Sequence, residues 1–346
     1  MARAMVAAMV SGTPIPAIVT AGDSRAAKAV YGESKVFLPV AGRPLVARLV
    51  LTLQRVADVS EVWVVGNRER LEEVFAAPEI RRAIHKPLYL VAQGRSLLEN
   101  AWETFRCVVA GDPEQGRDPR PEETDREVLY LSGDLPFAMP QEISAFVQRC
   151  QALPGCDYAF GFVREDALEG FLPTGPEDTG IEVAYFNLRD GRVRQNNLHF
   201  ARPARIGNRD RIEDMYEHRH QRQFWHMGAL AWKVFFSQGG GPSIVLLYAM
   251  MHLAGLADRW KLRRLADRLR GWVTLRRNEE VIGRLLDARF HFVATEAGGC
   301  AIDVDTEQEY DAVRAHFDAW ERAQRDRAEA LYGPLSEEPA RARVEG

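Results

Sequence analysis

The first half of the chain alternates short apolar, β-rich runs with amphipathic helical stretches. A helical stretch follows each predicted strand, as at residues 44–56, where a proline stands at the helix start. The predicted strands are residues 17–21 (AIVTA), 61–66 (EVWVVG), 87–92 (PLYLVA) and 127–134 (EVLYLSGD). Alternation at this spacing is typical of βαβ units, which build a mostly parallel sheet. We therefore predict an α/β fold, a Rossmann-like three-layer sandwich.

The pattern changes after residue 155. Extended segments follow, with a hairpin turn signal at residues 189–191 (RDG), and then a helix-rich stretch. Two short strands, residues 290–295 and 300–306, are predicted before a final helix. The predicted organisation is an N-terminal extension (1–14), a core with its hairpin (15–232), a helical insertion (233–290), the last strand and C-terminal helix of the core (291–326), and a disordered tail (327–346).

The composition is that of an ordinary globular protein with enough apolar residues for a sizeable core. The chain has 346 residues, of which 46% are hydrophobic and 27% charged, with a net charge of −4. This balance shows no bias toward nucleic acid, so we expect no nucleic-acid partner. The four cysteines lack metal-ligand spacing and are interpreted as reduced thiols. We predict a cytoplasmic protein, since the longest apolar run (244–257) is too short to span a membrane.

The turn after the first predicted strand carries features of a phosphate site. In open parallel sheets, ligands bind beyond the carboxyl ends of the strands. Gly22 allows close approach of the backbone to a phosphate, whose oxygens exposed N–H groups can cradle. Arg25 would add a bidentate donor and Lys35 a point charge. The alternative is a solvated loop with two incidental cations, because a single glycine turn is a weak signal.

Acidic residues follow two other predicted strands. Asp134 comes directly after an apolar strand, where a carboxylate can coordinate Mg²⁺, although it could equally cap the next helix. Asp303 and Asp305 alternate on a predicted short strand and would share one face. Thr306 and Glu309 form a capping box for the final helix, so a cap and turn is the alternative there. Together with the two cations, these carboxylates indicate a nucleoside triphosphate bound with Mg²⁺.

These motifs resemble the nucleotidyltransferases of the glycosyltransferase-A-like fold, in particular the MobA-like NTP transferases. The matching stretches, in order, are VTAGDSR, Lys35, LPVAGRPL, AQGRSLLENA, SGDLP and DVDTEQEYD. The resemblance covers about residues 15–165 and then 295–325, and the first turn is one glycine shorter than usual. It implies a glycosyltransferase-A or nucleotidyltransferase type of fold, with residues 233–290 as a helical insertion.

The resemblance also implies a reaction and a site. An acceptor phosphate would attack the α-phosphorus of an NTP with release of pyrophosphate, with Mg²⁺ as cofactor and Mn²⁺ as an alternative. The implied catalytic residues are Arg25 and Lys35; the nucleotide-binding residues are Ala21, Gly22, Asp23, Ser24, Lys28, Gln93 and Gly94; the metal ligands are Asp134, Asp303 and Asp305. Gln93 would lie near the base, and Lys28 could replace Lys35.

Two other functions stay open at this point. A glycosyltransferase that uses a nucleotide sugar would have an Asp-x-Asp pair after a central strand, where this chain has Ser-Gly-Asp. A nucleotide-binding regulatory protein without turnover is the other alternative.

The acceptor is predicted less sharply than the nucleotide. The hairpin offers Arg192, Arg194, Asn196 and Asn197 as acceptor-binding candidates, and alternation would place the first three of them on one face. An exposed basic strand is the alternative. Residues 244–272, an apolar run followed by a basic amphipathic stretch, suggest a lipid-like acceptor or weak membrane-surface contact. A helix packed on the main domain explains that stretch equally well.

Overall fold

A computed structural model describes residues 12–23, 29–175, 179–189, 191–208 and 274–335 of the chain. The strands of this part, numbered in chain order, are β1 (Ile15–Ala21), β2 (Ala29–Val30), β3 (Glu33–Ser34), β4 (Pro39–Val40), β5 (Arg43–Pro44), β6 (Val59–Gly66), β7 (Leu88–Ala92), β8 (Val128–Ser132), β9 (Tyr158–Arg164), β10 (Phe186–Leu188), β11 (Gly191–Ala201) and β12 (Phe290–Thr295). The α-helices, numbered in the same way, are α1 (Leu45–Leu53), α2 (Arg68–Ala76), α3 (Pro78–Arg81), α4 (Leu97–Ala110), α5 (Pro140–Ala152), α6 (Leu275–Leu286) and α7 (Glu307–Tyr332).

The main sheet has the strand order β7-β6-β1-β8-β11-β9-β12, with β10 paired to the start of β11. The neighbours β7, β6, β1 and β8 are parallel, and β12 is parallel to β9. Strand β11 is antiparallel to both β8 and β9. This mostly parallel sheet confirms the α/β prediction. Because β11 runs in the opposite direction, it begins at the edge of the sheet where its neighbours end.

Helices cover both faces of the sheet. Along β1, Val19 belongs to the cluster that contains Leu49 of α1 and Phe146 of α5. The preceding residue, Ile18, belongs to the cluster that contains Phe105 of α4. Successive side chains of a strand point to opposite faces, so β1 needs apolar residues throughout. The three-layer sandwich expected from the sequence is therefore confirmed.

The second acidic motif adopts a different backbone from the predicted one. Residues 302–305 form no strand, and a 3-10 turn (Gly299–Ala301) precedes them. The backbone N–H groups of Gly298 and Cys300 donate to the carboxylate of Glu142 instead of to a neighbouring strand. The predicted strand at residues 300–306 is therefore wrong, and only the strand at 290–295 forms.

The final helix extends past residue 326 to Tyr332, so residues 327–332, predicted as the start of a disordered tail, are helical. Its last turn is anchored because the hydroxyl of Tyr332 donates to Glu296 Oε2 at 2.8 Å and accepts from the Glu296 N–H at 2.9 Å. Within the predicted insertion, the described residues form α6 and the start of β12. Residues 244–272, the predicted membrane-contact stretch, lie outside the described part of the chain. Among the described helices, none combines the length and hydrophobicity needed to cross a bilayer.

Candidate active site at the carboxyl edge of the sheet

The candidate site lies where the parallel strands end. The turn after β1, the turn after β7 and the loop after β8 all leave the sheet at this edge, as does the segment after β12. Ligands of open α/β sheets bind at this position because the loops there converge. The chain therefore brings residues from both of its ends to one place.

Three carboxylates meet at this edge. One oxygen from each of Asp134, Asp303 and Asp305 lies within 4.8 Å of the others. The Asp134 side chain is completely buried, whereas those of Asp303 and Asp305 are 19% and 46% exposed. An all-oxygen set of this kind, buried on one side and open on the other, suits a hard divalent cation such as Mg²⁺ or Mn²⁺.

Lys35 lies within this acidic cluster. Its ammonium group contacts Asp134 and lies 2.5 Å from Oδ1 of Asp305. Burial favours the neutral amine, but the carboxylates of Asp134 and Asp305 outweigh burial and raise the pKa of Lys35. The Lys35 side chain is therefore positively charged and held against the acidic cluster.

Asp303 is held by Arg194, which reaches it from β11. The guanidinium donates to Oδ1 of Asp303 at 2.9 Å and to the carbonyl of Ala301 at 2.9 Å. Burial and the carboxylates of Asp134 and Asp305 raise the pKa of Asp303 to about 6, against the opposing effect of Arg194. Arg194, a predicted acceptor-binding residue, thus lies at the acidic cluster.

Asp134 is placed by the end of β8. The N–H of Gly133 donates to the carbonyl of Thr20 at 2.9 Å, which extends the β1–β8 pairing by one residue. The hydroxyl of Ser132 donates to Oδ1 of Asp134. A Cβ at position 133 would lie 3.2 Å from the Thr20 carbonyl oxygen, so a glycine suits this close approach of two strands.

The turn after β1 is tied to the turn after β7. The N–H of Asp23 donates to Oε1 of Gln93 at 2.9 Å, and Nε2 of Gln93 donates back to Oδ1 of Asp23 at 2.5 Å. Both polar groups of the Gln93 amide are thus engaged with the turn, although the family resemblance implies that Gln93 lies near the base. A Cβ at Gly22 would lie 3.3 Å from Oε1 of Gln93, so the backbone lies close to this amide.

Other polar side chains complete this region. The N–H of Gly94 donates to Oδ1 of Asn100 at 2.5 Å. Nδ2 of Asn67 donates to Oδ2 of Asp23 at 3.3 Å, and the guanidinium of Arg70 lies 3.7 Å from the same oxygen. Asn67 was missed in the sequence, although an Asn that caps a helix directly after a strand is a usable signal.

Three of the predicted residues belong to the turn after β1. Ser24, Arg25 and Lys28 belong to residues 24–28, which lie outside the described part of the chain. Their roles stay predictions. Ala21 is buried at the end of β1, directly before the turn.

The remaining acceptor candidates contact different partners. Arg192 is exposed and pairs with Glu165 at 2.8 Å. Asn196 is buried, and its Nδ2 donates to the hydroxyl of Thr295 at 3.0 Å. Nδ2 of Asn197 instead reaches the carbonyl of Cys300 at 3.5 Å.

The pairing of β11 with β9 is irregular between Gln195 and His199. Arg194 lies before this irregularity and Asn197 within it, and both reach the segment that leads to Asp303.

The sheet order, the glycine turn and the acidic cluster with its lysine define an α/β enzyme fold of the nucleotidyltransferase and glycosyltransferase-A type. Residues 17–224 match the family model of the MobA-like NTP transferase domain, and the chain belongs to this family. The protein is therefore a nucleotidyltransferase.

Three solved structures are similar to the chain, and the first of them, with a TM-score above 0.5, shares its fold. A hypothetical transferase from Thermus thermophilus is 19% identical, with 86% of this chain and 99% of the other covered and a TM-score of 0.56. A 4-diphosphocytidyl-2C-methyl-D-erythritol synthase from Anaerococcus prevotii is 16% identical over 90% and 99% of the two chains, with a TM-score of 0.46. A CMP:2-keto-3-deoxy-manno-octonic acid synthetase complexed with CTP is 15% identical over 89% and 99%, with a TM-score of 0.41. No curated protein sequence matches the chain significantly.

Proposed function

We propose that this protein transfers a nucleotidyl group from an NTP to a phosphorylated acceptor in a Mg²⁺-dependent reaction that releases pyrophosphate. The observation that carries the proposal is the cluster of Asp134, Asp303 and Asp305 around the ammonium group of Lys35. The cluster lies at the same edge of the sheet as the Gly22–Asp23 turn. This arrangement supports binding of a triphosphate together with its cation.

The side chains present fit a divalent cation. The donors are carboxylate oxygens, which Mg²⁺ prefers, and the negative charge of three carboxylates exceeds the positive charge of Lys35 and Arg194. Asp134, Asp303 and Asp305 would hold the ion. When bound, Mg²⁺ or Mn²⁺ would neutralise phosphate charge and polarise the oxygens of the α-phosphoryl group.

The chain's own groups account for the rest of the reaction. The acceptor oxygen forms a bond to the α-phosphorus, the bond from the α-phosphorus to the bridging oxygen breaks, and pyrophosphate leaves with those electrons. Lys35, together with Arg25 from the turn, would stabilise the negative charge that develops during transfer. A phosphate acceptor is already ionised, so no general base is required.

The acceptor side of the site is formed by β11 in this proposal. Arg192 is exposed near Arg194 and suits a phosphate, whereas the bonds of Arg194 to Asp303 favour a role at the cation. A phosphorylated small molecule or a lipid-like acceptor fits this chemistry. All four cysteines are buried and free, which supports the proposed cytoplasmic location.

A nucleotide-sugar glycosyltransferase is the second candidate, because the Asp303-x-Asp305 pair does enter the cluster with Asp134. The two reactions differ in their products. Nucleotidyl transfer releases pyrophosphate, whereas glycosyl transfer releases a nucleoside diphosphate.

The experiment has two stages. Thermal denaturation with Mg²⁺ and each of ATP, GTP, CTP and UTP identifies the nucleotide, since a bound ligand raises the melting temperature by mass action. Pyrophosphate release is then measured with the selected NTP and a panel of sugar, polyol and lipid phosphates. Release of pyrophosphate with one acceptor class is the expected result. Stabilisation by a nucleotide sugar with release of a nucleoside diphosphate would contradict the proposal.

A further inference from the structure

Glu142 is a buried carboxylate at the first turn of α5 that the proposed reaction does not use. Its side chain is fully buried. Oε1 accepts from the hydroxyl of Thr295 at 2.7 Å and from the N–H of Gly298 at 3.1 Å, and Oε2 accepts from the N–H of Cys300 at 3.2 Å. Burial raises the pKa of Glu142, while these donors favour its ionised form.

Each of the three groups that hydrogen-bond to Glu142 is a donor. The hydroxyl of Thr295 accepts from Nδ2 of Asn196 at 3.0 Å, so its own proton is directed to Glu142. The side chain of Asn196 reaches Thr295 across Gly161, where a Cβ would lie 2.0 Å from Oδ1 of Asn196. A glutamine at position 142 would therefore face N–H donors with an NH₂ group.

Glu142 joins the two segments that carry the acidic cluster. Helix α5 follows the loop that begins at Asp134, and residues 295–300 lead directly to Asp303. The two backbones also touch, because a Cβ at Gly299 would lie 1.9 Å from the carbonyl oxygen of Phe137. The hydrogen bonds to Glu142 thus act at the point where both segments approach the site.

We infer that Glu142 is a positioning residue for the divalent cation. By accepting hydrogen bonds from Thr295, Gly298 and Cys300, it holds Asp303 and Asp305 at binding distance from Asp134. This inference rests on the metal-dependent function proposed above. Residues that orient metal ligands from outside the coordination sphere change metal affinity by about 10–100-fold when altered. A loss of that size is expected for Glu142→Gln.

The test measures binding of Mn²⁺ alone, from the electron paramagnetic resonance signal of the free ion, with the free energy of unfolding from urea titration. Asp58→Asn is the matched control. Asp58 is also buried and also accepts from α5, through Nε2 of Gln148 at 3.0 Å and the hydroxyl of Ser144, but it lies at the amino end of β6. We expect both variants to lose stability and only Glu142→Gln to lose Mn²⁺ affinity.

The outcomes separate the two proposals. Equal Mn²⁺ affinity in wild type and Glu142→Gln, or an equal loss in Asp58→Asn, overturns the inference alone. Absence of Mn²⁺ binding by the wild type overturns the metal site of the proposed function and the inference with it. If Glu142→Gln does not fold, Thr295→Val removes one of the donors at similar volume, and unchanged Mn²⁺ affinity in that variant also overturns the inference.

Discussion

The ammonium nitrogen of Lys35 lies 2.5 Å from Oδ1 of Asp305, although 270 residues separate the two along the chain. The same ammonium group contacts the buried Asp134. Lys35 therefore joins three distant parts of the chain. They are a turn near its start, the centre of the sheet and the start of the last helix. Predictions for Lys35 follow from its charge and from its contacts with the carboxylates that would hold the proposed metal ion.

Lys35→Met is expected to lower kcat/KM for pyrophosphate release by about 10²–10³-fold, the cost of removing one preorganised group that stabilises transition-state charge. Lys86→Met is the matched control, because Lys86 is also partly buried but donates to the carbonyls of Leu53 and Val56. Burial lowers the pKa of Lys86 to about 8, so its charge is readily lost. A fall in kcat/KM of the same size in Lys86→Met would contradict a specific role for Lys35.

Lys35→Met is also expected to bind Mn²⁺ about tenfold more tightly in the absence of nucleotide. The ammonium group contacts oxygens of Asp134 and Asp305 that the proposed metal ion would also use. Two unit charges of the same sign about 4 Å apart repel by about 1–4 kcal/mol, and a divalent ion is repelled more strongly. Titration of Mn²⁺ against both proteins, followed by the signal of the free ion, measures the difference. Weaker Mn²⁺ binding by the variant would show that Lys35 does not compete with the metal.

Stability is expected to fall in mild acid because of His199. Burial lowers its pKa from 6.5 to about 4, and its Nδ1 is hydrogen-bonded to the hydroxyl of Tyr158 at 2.7 Å. Between pH 6.5 and 4 the unfolded chain binds more protons than the folded chain, so stability decreases as the pH falls through this window.

The measurement is urea denaturation of wild type and His199→Gln at pH 7 and pH 4.5. The loss of unfolding free energy on acidification should be smaller in the variant by about 2 kcal/mol. Glutamine retains a hydrogen-bonding group for Tyr158 but does not titrate. Equal losses in the two proteins would show that His199 does not contribute to the acid sensitivity.

Gly66→Ala is expected to destabilise the fold by about 1–3 kcal/mol, the usual cost of overpacking a core. A Cβ at this position would lie 2.5 Å from the carbonyl oxygen of Ala21, at the end of β1. Gly170→Ala is the control, since a Cβ there meets nothing within 4 Å. The urea midpoints of the two variants are compared, and a midpoint for Gly66→Ala as high as that of Gly170→Ala would refute the expected clash.

The sequence by itself determined the α/β class and the segments that reach the site. Hydrophobic periodicity is local, so the strands and helices of the first half could be predicted from neighbouring residues alone. The order of the motifs was also sufficient to indicate the family. It did not indicate that residues 300–306 lack a strand, because the N–H of Cys300 donates to Glu142, which is far away in sequence.

Only the tertiary structure decided which partners the side chains of the site contact. Whether Arg194 reaches Asp303 depends on the reversed direction of β11 beside β8 and β9. The pairing of Gln93 with Asp23 likewise depends on two turns that lie 70 residues apart. Such contacts join segments that are distant along the chain, and their geometry follows from sheet order and register, which no local pattern encodes.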